Sequence, residues 1–260
     1  MKRSIAVLLI LAAVALLCSE TISITQFERR VFDATNAQRH KLGLPALKPE
    51  SGLDELAKLM SRFMGVHDFF DHTDQEGNDI SGRQLKYYPE LLQVALGENL
   101  AFYQRSDRKF NPEQVVVDWM NSPGHRENIV NPTFTHLGVG AVIVGYKLYV
   151  TQNFATPLGK IVSPLPKKIR KNSKLNLEIE YLGSEPASKL KLALDLPDPK
   201  QMIRVSDSVY YQGSIPLKVE WKDKDTFLTS LPFVGGKGVY RLNMGFGVYY
   251  YSDLIDFRVK

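Results

Sequence analysis

Three residues are of types that together can do metal or acid–base chemistry: His72, Glu98 and His125. A neutral imidazole is the commonest metal ligand near neutral pH. Two histidines and a carboxylate could bind Zn²⁺ and leave a coordination position for water. A zinc-bound water ionises readily enough to attack a substrate. In that reading His72 and His125 are the metal ligands, Glu98 is the base, and Zn²⁺ or another divalent cation is the cofactor. The three are more than 25 residues apart from one to the next, so spacing alone does not bring them together. Read locally, they are unrelated surface or capping residues.

Other candidate chemistry is weaker. Ser122 precedes His125 closely, but Asn121-Ser122-Pro123-Gly124 is not the strained Gly-x-Ser-x-Gly elbow of a serine hydrolase, and no acidic residue stands ready to orient the pair. The acidic stretch Asp68 to Asp79 has the look of a calcium loop. Placing Gly77 at the sixth position puts His72 first and Arg83 twelfth, where carboxylates are required. The single cysteine, Cys18, excludes a cysteine-rich zinc site and a Cys-x-x-Cys redox centre. His67 reads as a helix-end residue and His136 as the start of a strand with a structural hydrogen bond. Asn99 and Arg126 are expected to hydrogen-bond around the site.

These residues must be held by regular elements. Thr25 and Glu28 have capping-box spacing, and Phe27, Val31 and Ala34 follow on one helical face until Gly43 and Pro45 stop it. After Ser51, the residues Leu53, Leu56, Ala57, Met60, Phe63 and Met64 make a second apolar stripe. Asn111-Pro112 offers a cap and a first-turn proline for a third helix through Val115, Val116, Trp119 and Met120, which Pro123-Gly124 is expected to end. Leu137, Val139, Ala141 and Ile143 alternate as a strand. A turn at Gly145-Tyr146-Lys147 leads into the next strand, with Tyr149 and Phe154. Helices around an antiparallel hairpin predict a helix-covered sheet.

The segments that carry the candidate residues, in order, are Phe69 to Gly77, Gly97 to Ala101, and Trp119 to Ile129 followed by His136-Leu137-Gly138-Val139-Gly140. Together with Asn36-Ala37-Gln38-Arg39 and Gly43-Leu44-Pro45, they resemble the bacterial branch of the CAP superfamily, the SCP-like extracellular domain. The resemblance spans roughly residues 27 to 155. It implies an α+β fold, an α-β-α sandwich with helices on both faces of an antiparallel sheet. It also implies a cleft of two histidines and two acidic residues that binds a divalent metal in several members. By motif, His72 and His125 are the histidines and Glu98 is the first acid. The second acid of many members falls at Ser122, which carries no charge. The ligand-binding cleft expected here is therefore His72, Glu98, Ser122 and His125, with no residue assigned to catalysis and with binding favoured over an enzyme. The family's links to sterol and lipid binding, signalling and proteolysis leave the ligand open.

The ends of the chain set its location and organisation. Lys2 and Arg3 precede an apolar run from Ile5 to Cys18, shorter than the ~18 residues of a spanning helix and typical of an export signal. Residues 1–19 are read as that signal, with lipid attachment at Cys18 as a variant. The mature chain is then extracellular or periplasmic with no transmembrane span. Residues 24–157 form the CAP-like domain and 158–166 a linker, on Ser163-Pro164-Leu165-Pro166. Residues 167–260 form an all-β, Ig-like sandwich, from alternation such as Leu175, Leu177, Ile179 and Leu190, Leu192, Leu194. Residues 160–260 hold 17 Lys/Arg against 11 Asp/Glu, with Lys167, Lys168, Arg170 and Lys171 clustered. Such basic excess suits a solvated strand edge and acidic surfaces. No nucleic-acid motif accompanies it. Lipid, a cell-envelope polymer or a protein are the partners expected. Tyr210-Tyr211 and Tyr249-Tyr250-Tyr251 are read as strand aromatics packing the sandwich, with a sugar- or wall-binding surface as the alternative.

Overall fold

The computed structural model of the chain describes residues 22–204 and 210–260. The expected leader at 1–19 and Cys18 lie outside them. The helices are α1 (Ile24–Lys41), α2 (Ser51–His67), α3 (Ile80–Tyr87), α4 (Pro112–Asn121) and α5 (Pro123–Val130). In the first half the strands are β1 (Lys48–Pro49), β2 (Leu91–Gln104), β3 (His136–Val144) and β4 (Lys147–Ile161). The second half holds β5 (Lys174–Tyr181), β6 (Leu190–Asp195), β7 (Met202–Arg204), β8 (Tyr210–Gln212), β9 (Ser214–Leu217), β10 (Glu220–Trp221), β11 (Thr226–Pro232), β12 (Gly238–Phe246) and β13 (Tyr249–Val259). No helix of the described residues is long and apolar enough to cross a membrane.

Strand β4 organises the molecule. It pairs antiparallel with β3 through residues 147–155 and with β2 along nearly its whole length. Its last residues, Gly159, Lys160 and Ile161, pair with β5 where β3 has ended, while Gly159 and Lys160 stay paired with β2. The seven-stranded sheet thus runs on from the first half into β5, β11 and β10. The stretch read as linker is strand as far as Ile161, because Leu158 and Ile161 are buried in the C-terminal core.

Alternation along the strands sorts side chains to two faces. Leu137, Val139, Ala141, Leu148, Val150 and Ala101 pack with Phe27 and Val31 of α1 and Val115, Val116 and Trp119 of α4. On the other face Leu100, Tyr149 and Val142 meet Met60 and Met64 of α2. Helices therefore cover this part of the sheet on both sides. Beyond it, a four-stranded sheet in the order β13-β12-β6-β9 shares one apolar core with β5, β11 and the end of β4.

Four local expectations are corrected. The capping box of α1 is Ser23 with Gln26, not Thr25 with Glu28. Glu28 instead accepts a hydrogen bond from the Ala141 N–H at 2.9 Å. Pro123 does not end the helical region; it opens α5, a role that suits a residue with no N–H to leave unpaired. Helix α3, capped by Asp79 onto the Gly82 N–H, was not foreseen. Tyr249, Tyr250 and Tyr251 lie at the free end of β13 and are 77%, 48% and 44% exposed, so they do not pack the core.

Candidate functional site

The site is built on β2. Glu98 stands opposite Asn153 of β4 and shares a sheet face with Leu100, the face that α2 covers. Helix α2 ends at His67 with Asp68 in the left-handed region at φ 51°. The chain then turns through a loop tied on Asp74, whose Oδ1 accepts from the Glu76 and Asn78 N–H groups, both at 2.9 Å. That loop delivers His72, whose Nδ1 lies 2.9 Å from Glu98 Oε1.

The other carboxylate oxygen is taken by a residue that sequence reasoning missed. Arg83 of α3 is completely buried, and its Nη2 donates to Glu98 Oε2 at 2.5 Å. Its Nη1 donates to the carbonyls of His72 at 2.9 Å and Asn78 at 2.8 Å. One guanidinium therefore fixes the carboxylate and the loop that carries its histidine partner. The Asp79 cap, with Arg83 one helical turn behind it, was the available signal. Nothing local, however, could reveal a partner 15 residues away on a strand.

His125 enters from the first turn of α5. Ser122, the N-cap of that helix, makes no side-chain cap. Its Oγ lies 2.8 Å from His125 Nδ1. The backbone of α5 is sewn to β2 from below: Asn99 Nδ2 donates to the His125 carbonyl at 3.0 Å, and Asn128 Nδ2 donates to the Glu98 carbonyl at 3.2 Å. Asn99, Gln152 and Thr35 are fully buried links of the same network, with Gln152 Nε2 donating to Thr35 Oγ1 at 2.6 Å. Asn99 thus has the structural role expected of it, whereas Arg126 is exposed and among the described residues its side chain has no hydrogen-bond partner; its backbone N–H donates to Ser122 O. His67 closes α2 and His136 opens β3, bonded through Nδ1 to Thr135 Oγ1 at 2.9 Å.

The predicted residues therefore form two contacting pairs, His72 with Glu98 and Ser122 with His125, joined through backbone bonds of β2 and α5. No side-chain hydrogen bond crosses between the pairs among the described residues. Electrostatics does cross. Burial, and then the positive charge of His72, hold the His125 imidazole below its ordinary value. The hydrogen bond and charge of Glu98 hold His72 above its own, against burial and the Arg83 charge.

This predicts opposite titrations. Because the folded value of His72 is raised, its stabilising contribution is complete below the ordinary histidine range and is lost as pH rises through the raised value. In a histidine NMR titration, His72 should turn over above and His125 below an unperturbed imidazole. Glu98→Gln should bring His72 back down. Coincident midpoints in the wild-type protein would show that the pair does not form.

The donor set does not fit a metal centre of three protein ligands. Both oxygens of Glu98 are engaged, one of them by the buried Arg83 cation, whose fixed positive charge opposes a second cation at this carboxylate. Among the described residues, no three His, Cys, Asp or Glu side chains are grouped to hold a metal ion. Asn153, across from Glu98, is fully buried with neither amide atom hydrogen-bonded.

Residues 32–154 match the model of the CAP family, described as the cysteine-rich secretory protein family. This part of the chain is a CAP domain. The uncharacterised protein YkwD of Bacillus subtilis is 40% identical over 124 residues, which cover 47% of this chain and 45% of that one. The uncharacterised membrane protein YlbC of the same organism is 32% identical over 130 residues, 50% of this chain and 34% of that one. The chain thus spans less than half the length of these curated relatives. Among solved structures, an extracellular SCP-domain protein from Bacillus anthracis shares 27% identity over 50% of this chain and 40% of its own, with a TM-score of 0.43. An outer surface protein from Borrelia burgdorferi shares 22% over 52% and 96%, with a TM-score of 0.46. The CAP domain ends within β4, so the strands that follow are joined to it by an unbroken strand.

Proposed function

We propose that the chain is an exported, non-enzymatic binding module whose CAP cleft holds a cell-envelope component, lipid or protein partner. The C-terminal strands, in this reading an Ig-like sandwich, place that cleft against the surface. The observation that carries it is the state of Glu98. A general base needs a free oxygen within reach of the proton it removes, and both oxygens of Glu98 are already held, by His72 and Arg83. His125 likewise has Ser122 beside it and no carboxylate to orient it. What the cleft offers is the second nitrogen of each imidazole and a fixed charge pattern, which suit recognition better than turnover.

The test is to incubate the protein with a cell-envelope extract and analyse what co-purifies by mass spectrometry. An intact ligand should be enriched, and His72→Ala should lower that enrichment several-fold. No enrichment, together with hydrolysis of a peptide or polymer, would overturn the reading. The rival is a metal-dependent hydrolase with His72 and His125 as ligands and Glu98 as base. Calorimetric titration with Zn²⁺ is expected to show no saturable binding at micromolar concentration. Stoichiometric binding that disappears in His72→Ala would favour the rival.

A further inference from the structure

A groove opens where strand β13 of the C-terminal sheet meets β2 and α3 of the first half. It has a volume of about 460 Å³; Ser81, Gln93, Tyr250, Tyr251 and Ser252 line it together with the apolar Val94, Ala95, Leu96 and Leu254. That volume is within the roughly 300–1,000 Å³ of small-molecule sites. We propose that this groove binds a neutral oligosaccharide, using Tyr250 and Tyr251 as stacking platforms and the Ser81, Ser252 and Gln93 side chains as hydrogen-bonding partners for sugar hydroxyls.

Four observations support this class of ligand. First, the described polar lining residues are hydroxyls and a carboxamide: Ser81, Ser252, Gln93 and the two tyrosines. Hydroxyls and a carboxamide both donate and accept, as sugar hydroxyls require. Second, the tyrosines are half-exposed although the core of the same sheet is dry. A tyrosine presents a rigid apolar face and a polar tip at low entropic cost, which matches the C–H face and hydroxyl rim of a pyranose.

Third, Tyr250 is seated. It pairs across the β12–β13 hairpin with Gly245, and a Cβ at Gly245 would lie 2.7 Å and 2.8 Å from ring atoms of Tyr250. The ring therefore lies across a glycine, which supports one face. Fourth, the opposite wall is a break in the β2–β4 ladder. Register shifts flank Gln93, and neither Val94 nor Ala95 has a partner in that register. Bulges of this kind re-aim side chains and release backbone polar groups at sites.

Leu96 of the groove and Glu98 lie on one face of β2, about 7 Å apart at the usual strand rise. The proposal shares with the cleft reading only that a ligand is held and not cleaved; it does not need His72 or Glu98.

The test is calorimetric titration of the full chain with the N-acetylglucosamine tetramer, a neutral glycan. Saturable binding is expected, weakened about tenfold or more by Tyr250→Ala and by Tyr251→Ala. It should change less than twofold in Tyr250→Phe, which keeps the ring. Circular dichroism and melting midpoints of each variant show that the fold is kept. No saturable binding by the wild-type protein overturns the groove. Binding lost in His72→Ala and kept in the folded tyrosine variants also overturns it, and assigns the glycan to the cleft instead. Loss confined to the tyrosine variants supports the groove and leaves the cleft reading to its own test.

Discussion

Arg83→Met is expected to be among the most damaging single substitutions in this protein. The side chains of Arg83 and Glu98 are 0% and 3% exposed. Removing one member of a buried ion pair leaves the other charge uncompensated and costs about 3–5 kcal/mol. At about 2–4 °C per kcal/mol for a chain of this size, the melting midpoint should fall on the order of 10 °C. The loss reaches beyond the pair, because the same guanidinium holds the carbonyls of His72 and Asn78. The His72 loop should then exchange its amide hydrogens faster. Pairing Arg83→Met with Glu98→Gln removes both charges and should recover part of the loss, as non-additivity of contacting residues requires. A single variant melting within 2 °C of wild type would show that the buried pair contributes nothing.

Gly140→Ala should be comparably severe for a different reason. A Cβ there would lie 2.1 Å from the Lys58 nitrogen and 2.3 Å from the Ala57 carbonyl carbon, both in the backbone of α2. At Gly138 it would lie 2.1 Å from the Leu53 carbonyl carbon. Helix α2 sits directly on the bare backbone of β3, and Ser61 Oγ closes the contact by donating to the Gly140 carbonyl at 2.9 Å. Neither partner is a flexible side-chain tip that could swing away. Overpacking costs about 1–3 kcal/mol where side chains can give; with backbone on both sides the upper end or beyond is expected. Gly124→Ala is the control. Nothing lies within 4 Å of its Cβ position, and it is in the first turn of α5, so alanine should be neutral or stabilising by up to ~1 kcal/mol. Chemical denaturation of the two variants and the wild type decides it. Equal stabilities for Gly140→Ala and Gly124→Ala would mean that α2 can lift off the sheet freely.

Much of this architecture could be read before any coordinates. The stripe from Leu53 to Met64 is buried apart from Phe63, which is partly so. Leu137, Val139 and Ala141 alternate into the core, and three ordered motifs located the His72, Glu98 and His125 segments. Those signals are short-ranged: a helix face, a strand period or a cap involves residues a few positions apart. For the same reason the errors were local competitions. Thr25 lost the cap to Ser23, two residues upstream and also followed by a suitable third residue. Pro123 could end one helix or begin the next, and it begins the next.

The sequence by itself determined helices α1, α2 and α4, the β3–β4 hairpin, the apolar face of each, and which motifs carry the histidines and Glu98. Only the tertiary structure decided what those residues do to one another. Arg83 becomes the partner of Glu98 because α3 packs beside β2. Gly138 and Gly140 become indispensable because α2 lies on them, and the tyrosines of β13 stay exposed because their half of the strand runs past the core into a groove. Each depends on segments distant in the chain meeting at ångström range. Periodicity and capping report a residue's near neighbours and carry no information about that meeting.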